Sequence, residues 1–195
     1  MKRPVDAHWP ISQRFGERPE YYDKYGYAGH AGVDFAPPPG DYPYTNVYAA
    51  EEGDVLYAIP DDPSAGGFIH LHHHPAGLQT RYLHNSQLLV SSGEHVVKGQ
   101  LIAVSGGVPG AYGSGLSTGP HSHFEVIDPA EWGNGYKGRV DPELYCMEDD
   151  VDKAVIANAL NVLWGWVHYK NRLPKKGIAE CESAIVAVKQ EAGIQ

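Results

Sequence analysis

The sequence predicts a mainly β protein: an antiparallel β-sheet domain followed by a C-terminal helical appendage. Three observations carry that expectation. Between residues 11 and 140, aromatic and β-branched runs are cut at short intervals by Gly, Pro, Asn and Asp, the punctuation of many short strands. Near residue 120, two histidines stand two positions apart ahead of an apolar tail, a spacing that aims both rings to one face of a strand. Beyond residue 150, the apolar residues recur at three and four instead of two, which is helical.

Taken in order, the chain opens Met1-Lys2-Arg3-Pro4-Val5-Asp6, and no apolar run of signal-peptide length follows. Export by a standard cleavable leader is therefore not expected. Candidate strands cover residues 46–50, 53–59, 68–73, 78–84, 101–105 and 121–127. The stretch 106–119, rich in Gly, Ser and Thr and without periodicity, reads as a loop leading into the histidine strand.

After Asp141-Pro142 the composition changes. Val151, Val155, Ala159, Val162 and Trp166 line one side of a helix over 150–172, with acidic residues at its start and Lys170 and Arg172 near its end to suit the macrodipole. Pro174 and Gly177 break it before a shorter helix over 178–192. The first helix is apolar around too much of its circumference to stand alone in water. It is expected to fold as a hairpin on itself or on the β domain, with a dimer seam or a docking surface for another protein as the alternatives. The expected division is residues 1–147 and residues 148–195.

A length of 195 residues suits one domain with an appendage. The formal charge of −9 argues against a nucleic-acid binder, which would show a basic face, and no stretch reaches membrane-spanning length. Cys146 and Cys181 lie far apart, without Cys-x-x-Cys spacing, and are expected to be free thiols.

The chemistry-bearing phrases come next. In Gly119-Pro120-His121-Ser122-His123-Phe124-Glu125, the two imidazoles would share a strand face with Cα atoms about 6.5 Å apart, one able to hold a metal while the other reaches a nearby water. In Gly29-His30-Ala31-Gly32-Val33-Asp34-Phe35-Ala36, the glycines and Pro37-Pro38-Pro39 make a helix implausible, so a turn entering a strand is expected. Joined, His30, Asp34 and His123 form a candidate zinc set, since a catalytic zinc keeps three protein ligands and an open fourth position. Thr80-Arg81-Tyr82-Leu83-His84-Asn85 is the third phrase, and on pattern alone His84 is an ordinary strand-end histidine.

The run His70-Leu71-His72-His73-His74 has no carboxylate or cysteine close in sequence. It is expected to be an exposed or groove-flanking strand and not a second metal site. No His-Glu-x-x-His, Gly-x-Ser-x-Gly or phosphate cradle is present.

His30-x-x-x-Asp34, Tyr82-x-His84 and the run Thr118 to Glu125, in that order, resemble the lysostaphin-type (LytM-like) zinc endopeptidases that cut peptidoglycan cross-links. The turn-bearing phrases Val47-Tyr48-Ala49-Ala50, Gly53-Asp54-Val55 and the stretch 93–100 match as well, so the resemblance spans about residues 8–145. It implies His30, Asp34 and His123 as zinc ligands, His121 as general base, and His84 as a second free histidine that orients water or steadies the oxyanion. It also implies peptidoglycan cross-link peptides as substrate and a groove over the metal. Ser122 between the histidines, a longer loop over 41–46 and a longer 106–118 approach depart from the pattern and bear on substrate preference.

The expectation is therefore a zinc endopeptidase acting on the bacterial cell wall. It would be a phage lysin, virion-borne or released at lysis, or a secreted protein whose leader has been removed. The alternatives from other classes are a non-catalytic wall-binding or regulatory protein and a structural phage tail component acting through residues 150–195.

Overall fold

The structure, a computed structural model, describes residues 1–146, which lie in the first of two units into which the chain divides, Met1–Asp149. The expected helices over 150–172 and 178–192, the 147/148 boundary and Cys181 lie outside the described residues. Cys146 is a free, buried thiol.

Ten strands build one antiparallel sheet. Its central path joins β1 (Ile11–Gln13), β2 (Val33–Phe35), β9 (Ser122–Ile127), β6 (Gln79–Leu88), β5 (Gly66–His72), β4 (Gly53–Asp62) and β7 (His95–Val96). Off that path, β10 (Arg139–Val140) pairs with β9, and β8 (Leu101–Ser105) pairs with both β6 and β3 (Asn46–Tyr48). The mainly β, antiparallel expectation holds. The 101–105 strand falls where expected, and the strands expected at 53–59 and 78–84 run on to Asp62 and Leu88. Residues 106–119 are a loop. The short helix α1 (Pro19–Tyr22), followed by a 3-10 turn at Asp23–Tyr25, was not foreseen. Proline at the helix start is its one sequence signal, and four residues are too few to show an apolar period.

Alternation along the strands sorts core from site. Tyr82 on β6 and Phe124 and Val126 on β9 face a core shared with Trp9, Ile69 and Ile102, all fully buried. Arg81 sits opposite Glu125 and Leu83 opposite His123 across the β6–β9 ladder, and these side chains take the other face.

At His84 the alternation breaks. Tyr82 pairs with Ile69 and Asn85 with Gly67, so β6 carries one extra residue against β5, a β-bulge. His84 takes a left-handed backbone (φ 65°), uncommon outside glycine. Asn85, fully buried, donates from Nδ2 to the carbonyls of Tyr82 (3.0 Å) and Gly67 (2.8 Å) and closes the gap in the ladder. Leu83 and His84 can thus both reach the site face.

The histidine run 70–74, expected as an exposed or groove-flanking strand, is mixed: His74 is exposed and His72 half-buried, whereas His70 and His73 are buried. His70 shares the face of its β6 partner Arg81, opposite the core residues Ile69 and Leu71, and His73 follows the end of β5. His70 Nε2 lies 2.7 Å from Gln79 Oε1, while His73 donates from Nδ1 to the Glu52 carbonyl (2.8 Å) and lies 2.8 Å from Thr80 Oγ1 through Nε2. Folding also brings a carboxylate to the run that sequence distance had hidden, since Asp54 Oδ2 stands 3.4 Å from His74 Nε2.

Burial disfavours the cation, so both buried imidazoles titrate below their ordinary 6.5; His70, with the Arg81 charge adding to burial, falls to about 4. The unfolded chain therefore binds more protons than the folded one, and this stabilisation is complete above pH 6.5 and lost as pH falls toward 4. Thermal unfolding between pH 7 and pH 4 should show a falling midpoint, with a shallower slope in His70→Gln. An identical slope in the variant removes His70 from this account.

Candidate metal centre

Register places the first two donors. Asp34 on β2 lies directly opposite His123 on β9, so both side chains leave the same face at Cβ separations of about 5 Å. His30 arrives from the turn ahead of β2, its amide donating to the Glu17 carbonyl (2.8 Å) and its carbonyl accepting from Gly16 (2.9 Å). Between them, Gly32 has no room for a side chain: a Cβ there would stand 2.4 Å from the Phe124 carbonyl oxygen and 2.9 Å from the His123 ring. The turn entering a strand that the sequence suggested is what forms.

The three donors converge. Asp34 Oδ1 lies 2.7 Å from His123 Nδ1 and 3.3 Å from His30 Nε2, and the two imidazole nitrogens are 3.0 Å apart. Donors about 2.0–2.1 Å from a tetrahedral zinc stand about 3.3 Å from each other, so the spacing and the N, N, O chemistry fit that ion. Among the described residues, this is the group of three such side chains within mutual reach, all buried. The histidine run 70–74 forms no such group.

Each ring's outer nitrogen is committed, which fixes what the inner one can do. His30 Nδ1 faces the Arg14 carbonyl (3.1 Å), and His123 Nε2 faces Glu125 Oε1 (3.3 Å), so His30 Nε2 and His123 Nδ1 are the ring atoms turned toward the centre. His121 is held the same way, Nδ1 donating to the Gly119 carbonyl (2.8 Å) while Nε2 stands 3.7 Å from Asp34 Oδ1. His84 donates from Nδ1 to the Ser114 carbonyl (2.9 Å), and its ring centroid is 4.7 Å from that of His121.

The loop 106–119 supplies those two carbonyls and is itself fastened to β5 and to the turn between β4 and β5. Gly67 donates to Gly113 (2.9 Å) and Leu116 to Ser64 (2.9 Å). At Gly113 (φ 74°) a Cβ would stand 2.1 Å from the Asn85 carbonyl oxygen, so only glycine fits.

Charge is arranged in layers behind the donors. Burial alone would raise Asp34, but hydrogen bonds with His123 and His30 outweigh it and hold the carboxyl well below the usual range. Burial would lower His123, yet Asp34 and Glu125 carry it up to about 9. Glu125, buried, is held down at about 2 by His123 and by Arg139, whose Nε is 3.0 Å away; Arg81 Nη1 stands 3.7 Å from the same oxygen. Two carboxylates around one imidazole make a place for positive charge, where a metal ion would displace a proton. His84 is lowered to about 3 and His121 is also lowered, in each case chiefly by burial.

The centre lies in a groove of about 530 Å³, lined by Tyr21, Tyr22 and Tyr25 of the α1 segment and by Leu116 and Thr118 of the loop. The 41–46 loop, expected beside the groove, does not line it, and Ser122 is buried on the core face of β9. Sequence reasoning missed Glu125, Arg81, Arg139 and Tyr22. Glu125 had a readable signal, since it continues the period of two set by His121 and His123. The others reach the groove through tertiary packing alone.

An antiparallel sheet carrying a buried His–Asp–His group with free imidazoles beside it defines the metallopeptidase class. The chain belongs to peptidase family M23, whose model matches residues 28–142, and peptidases of this family are zinc-dependent. A relative, the peptidoglycan DD-endopeptidase ShyA of Vibrio cholerae, is 38% identical over 127 residues, covering 65% of this chain and 27% of that protein. The chain thus spans about a quarter of the length of the curated relatives it matches. Among solved structures, a zinc-containing peptidase from Vibrio cholerae superposes with a TM-score of 0.54 at 33% identity, over 71% of this chain and 37% of that one. The antimicrobial peptidase lysostaphin from Staphylococcus simulans superposes with a TM-score of 0.54 at 25% identity, over 72% and 50%.

Replacing Glu125 by Gln removes the charge facing His123 Nε2 and leaves Arg139 without its carboxylate. Zinc affinity in a competitive chelator titration should fall about 10–100-fold. Unchanged affinity would show that the layer behind His123 does not tune the centre.

Proposed function

We propose that this chain is a peptidoglycan endopeptidase that hydrolyses amide bonds in cell-wall cross-link peptides, with zinc held by His30, Asp34 and His123. The observation that carries the reading is the convergence of these donors in a groove beside two imidazoles whose Nδ1 atoms are already committed to carbonyls. When bound, zinc supplies a Lewis acid that acidifies water and polarises the scissile carbonyl.

The side chains do the rest. His121 Nε2, a lone pair by virtue of the Nδ1–Gly119 bond, accepts the proton of the attacking water and delivers it to the leaving amine. His84 stays neutral, its Nδ1–H given to Ser114, so its Nε2 can only accept. That favours orienting the attacking water over steadying the oxyanion, the two roles expected of it. The groove walls position the peptide over the centre. The division into a peptidase domain over 1–147 and a helical segment over 148–195 belongs to the same proposal, as does a lysin role at the bacterial wall.

Purified walls incubated with zinc-loaded protein should lose turbidity, and mass spectrometry should find amide-cleaved cross-links. Metal removal should abolish this and zinc should restore it. Asp34→Ala should lose zinc and activity together, whereas His121→Ala should keep its zinc and lose about 10²–10⁴ in kcat. A zinc-replete wild type that binds walls without releasing fragments would leave the non-catalytic alternative standing. Expression inside a susceptible cell against addition from outside separates lysis-stage release from other delivery.

A further inference from the structure

Away from the groove, a second cluster of metal-type donors stands at the edge of the sheet. Register puts His72 of β5 opposite Asp54 of β4, and Asp54 opposite His95 of β7. Side chains directly opposite one another leave the same face, so the three form a row across neighbouring strands with successive Cβ atoms about 5 Å apart. The row lies four strand residues, about 13 Å, along the sheet from the level of His123, and none of its members lines the groove.

His74 joins the row. From His95 Nδ1 to Asp54 Oδ1 is 2.8 Å, from Asp54 Oδ2 to His74 Nε2 is 3.4 Å, and from His74 Nε2 to His72 Nδ1 is 3.1 Å. Each step is close to the spacing of about 3.3 Å between donors on one tetrahedral zinc. The donors form an open chain and not a closed group, unlike His30, Asp34 and His123. Closing it takes side-chain rotation alone, since His74, Asp54 and His95 are 62%, 48% and 56% exposed. Behind His95, Nε2 stands 3.3 Å from Glu52 Oε1. A ring with one nitrogen toward the donors and the other toward a carboxylate repeats the arrangement of His123 and Glu125.

Ion pairing alone does not account for the cluster. Two carboxylates, Asp54 and Glu52, stand against three imidazoles, and the rings of His72 and His74 meet edge to face with centroids 4.1 Å apart, a contact that two cations would not keep. Neutral imidazoles beside a carboxylate are donors that suit zinc, copper and nickel.

We propose that His72, His74, Asp54 and His95 form a second metal site, for zinc or a similar imidazole-binding divalent ion, that ties the edge strand β7 to β4 and β5. β7 has two residues, paired to Gly53 and Asp54, so an ion shared by His95 and His72 adds a cross-strand tie where the ladder is shortest. The site needs no catalytic role, and its test does not depend on the endopeptidase reading.

Zinc chloride is titrated calorimetrically into the metal-free full chain, with Asp34→Ala as the parent that disables the catalytic centre. Wild type should take two equivalents and Asp34→Ala one. In that parent, His72→Gln, His74→Gln, Asp54→Asn and His95→Gln should each weaken the remaining affinity about tenfold or more, and Glu52→Gln should weaken it less. His8→Gln, which removes an exposed imidazole 3.8 Å from Asp41, should not weaken it. Zinc should also raise the unfolding midpoint of Asp34→Ala and slow amide exchange over residues 93–97, and both effects should vanish when His72→Gln and His95→Gln are combined.

In the otherwise wild-type chain, that combined change should remove one of the two equivalents, which reads the site even where Asp34→Ala fails to fold. A second equivalent that survives the combined change, or that His8→Gln weakens as much, overturns the site, as does a wild-type chain that takes up a single zinc.

Discussion

The carboxylate of Asp34 is the contact on which the rest of the site turns. One oxygen faces His123, His30 and His121, which come from β9, from the turn ahead of β2 and from the end of a long loop. That oxygen is placed by strand register: Asp34 opposes His123, and a slip by one residue would send both side chains to the opposite face. The pairing of β2 with β9 therefore fixes the sheet and the chemistry at once, and the close fit at Gly32 follows from bringing the two strands and the His30 turn into one place.

A buried carboxylate is tolerated only when it is matched, and the matching here continues outward. Asp34 is held by histidines, His123 is held by Glu125, and Glu125 is held by Arg139 with Arg81 close by. Each layer has the opposite sign to the last, ending in guanidiniums that reach the groove. Arg81 and Arg139 thus stand on the groove wall beside the carboxylate they share. The same burial that would make an unpaired charge unfavourable keeps His84 and His121 neutral, the state in which an imidazole can accept a proton.

Much of this was legible in the sequence because it is written at short range. The period of two puts His121, His123 and Glu125 on one face, and glycines and prolines around His30 rule out a helix. What could not be read has a physical reason in each case. His70 and His73 look like surface histidines until pairing with β4 and β6 buries them. The groove wall built by α1 depends on a four-residue helix with no period to detect. Arg81 and Arg139 are 58 positions apart in the sequence and share one carboxylate only after β6, β9 and β10 have paired. The backbone kink at His84 leaves no mark in residue type, since a histidine with positive φ looks like any other.

The fastening of the 106–119 loop has a consequence for protein engineering. Its glycine-tight seam against Gly67 and Asn85 means that the loop and the β5–β6 hairpin form a single cassette, and a chimera exchanging one without the other would collide backbone with backbone. Around Gly110, where the chain meets open solvent, the same loop can accept grafted sequence without disturbing the anchored half that serves the two free imidazoles.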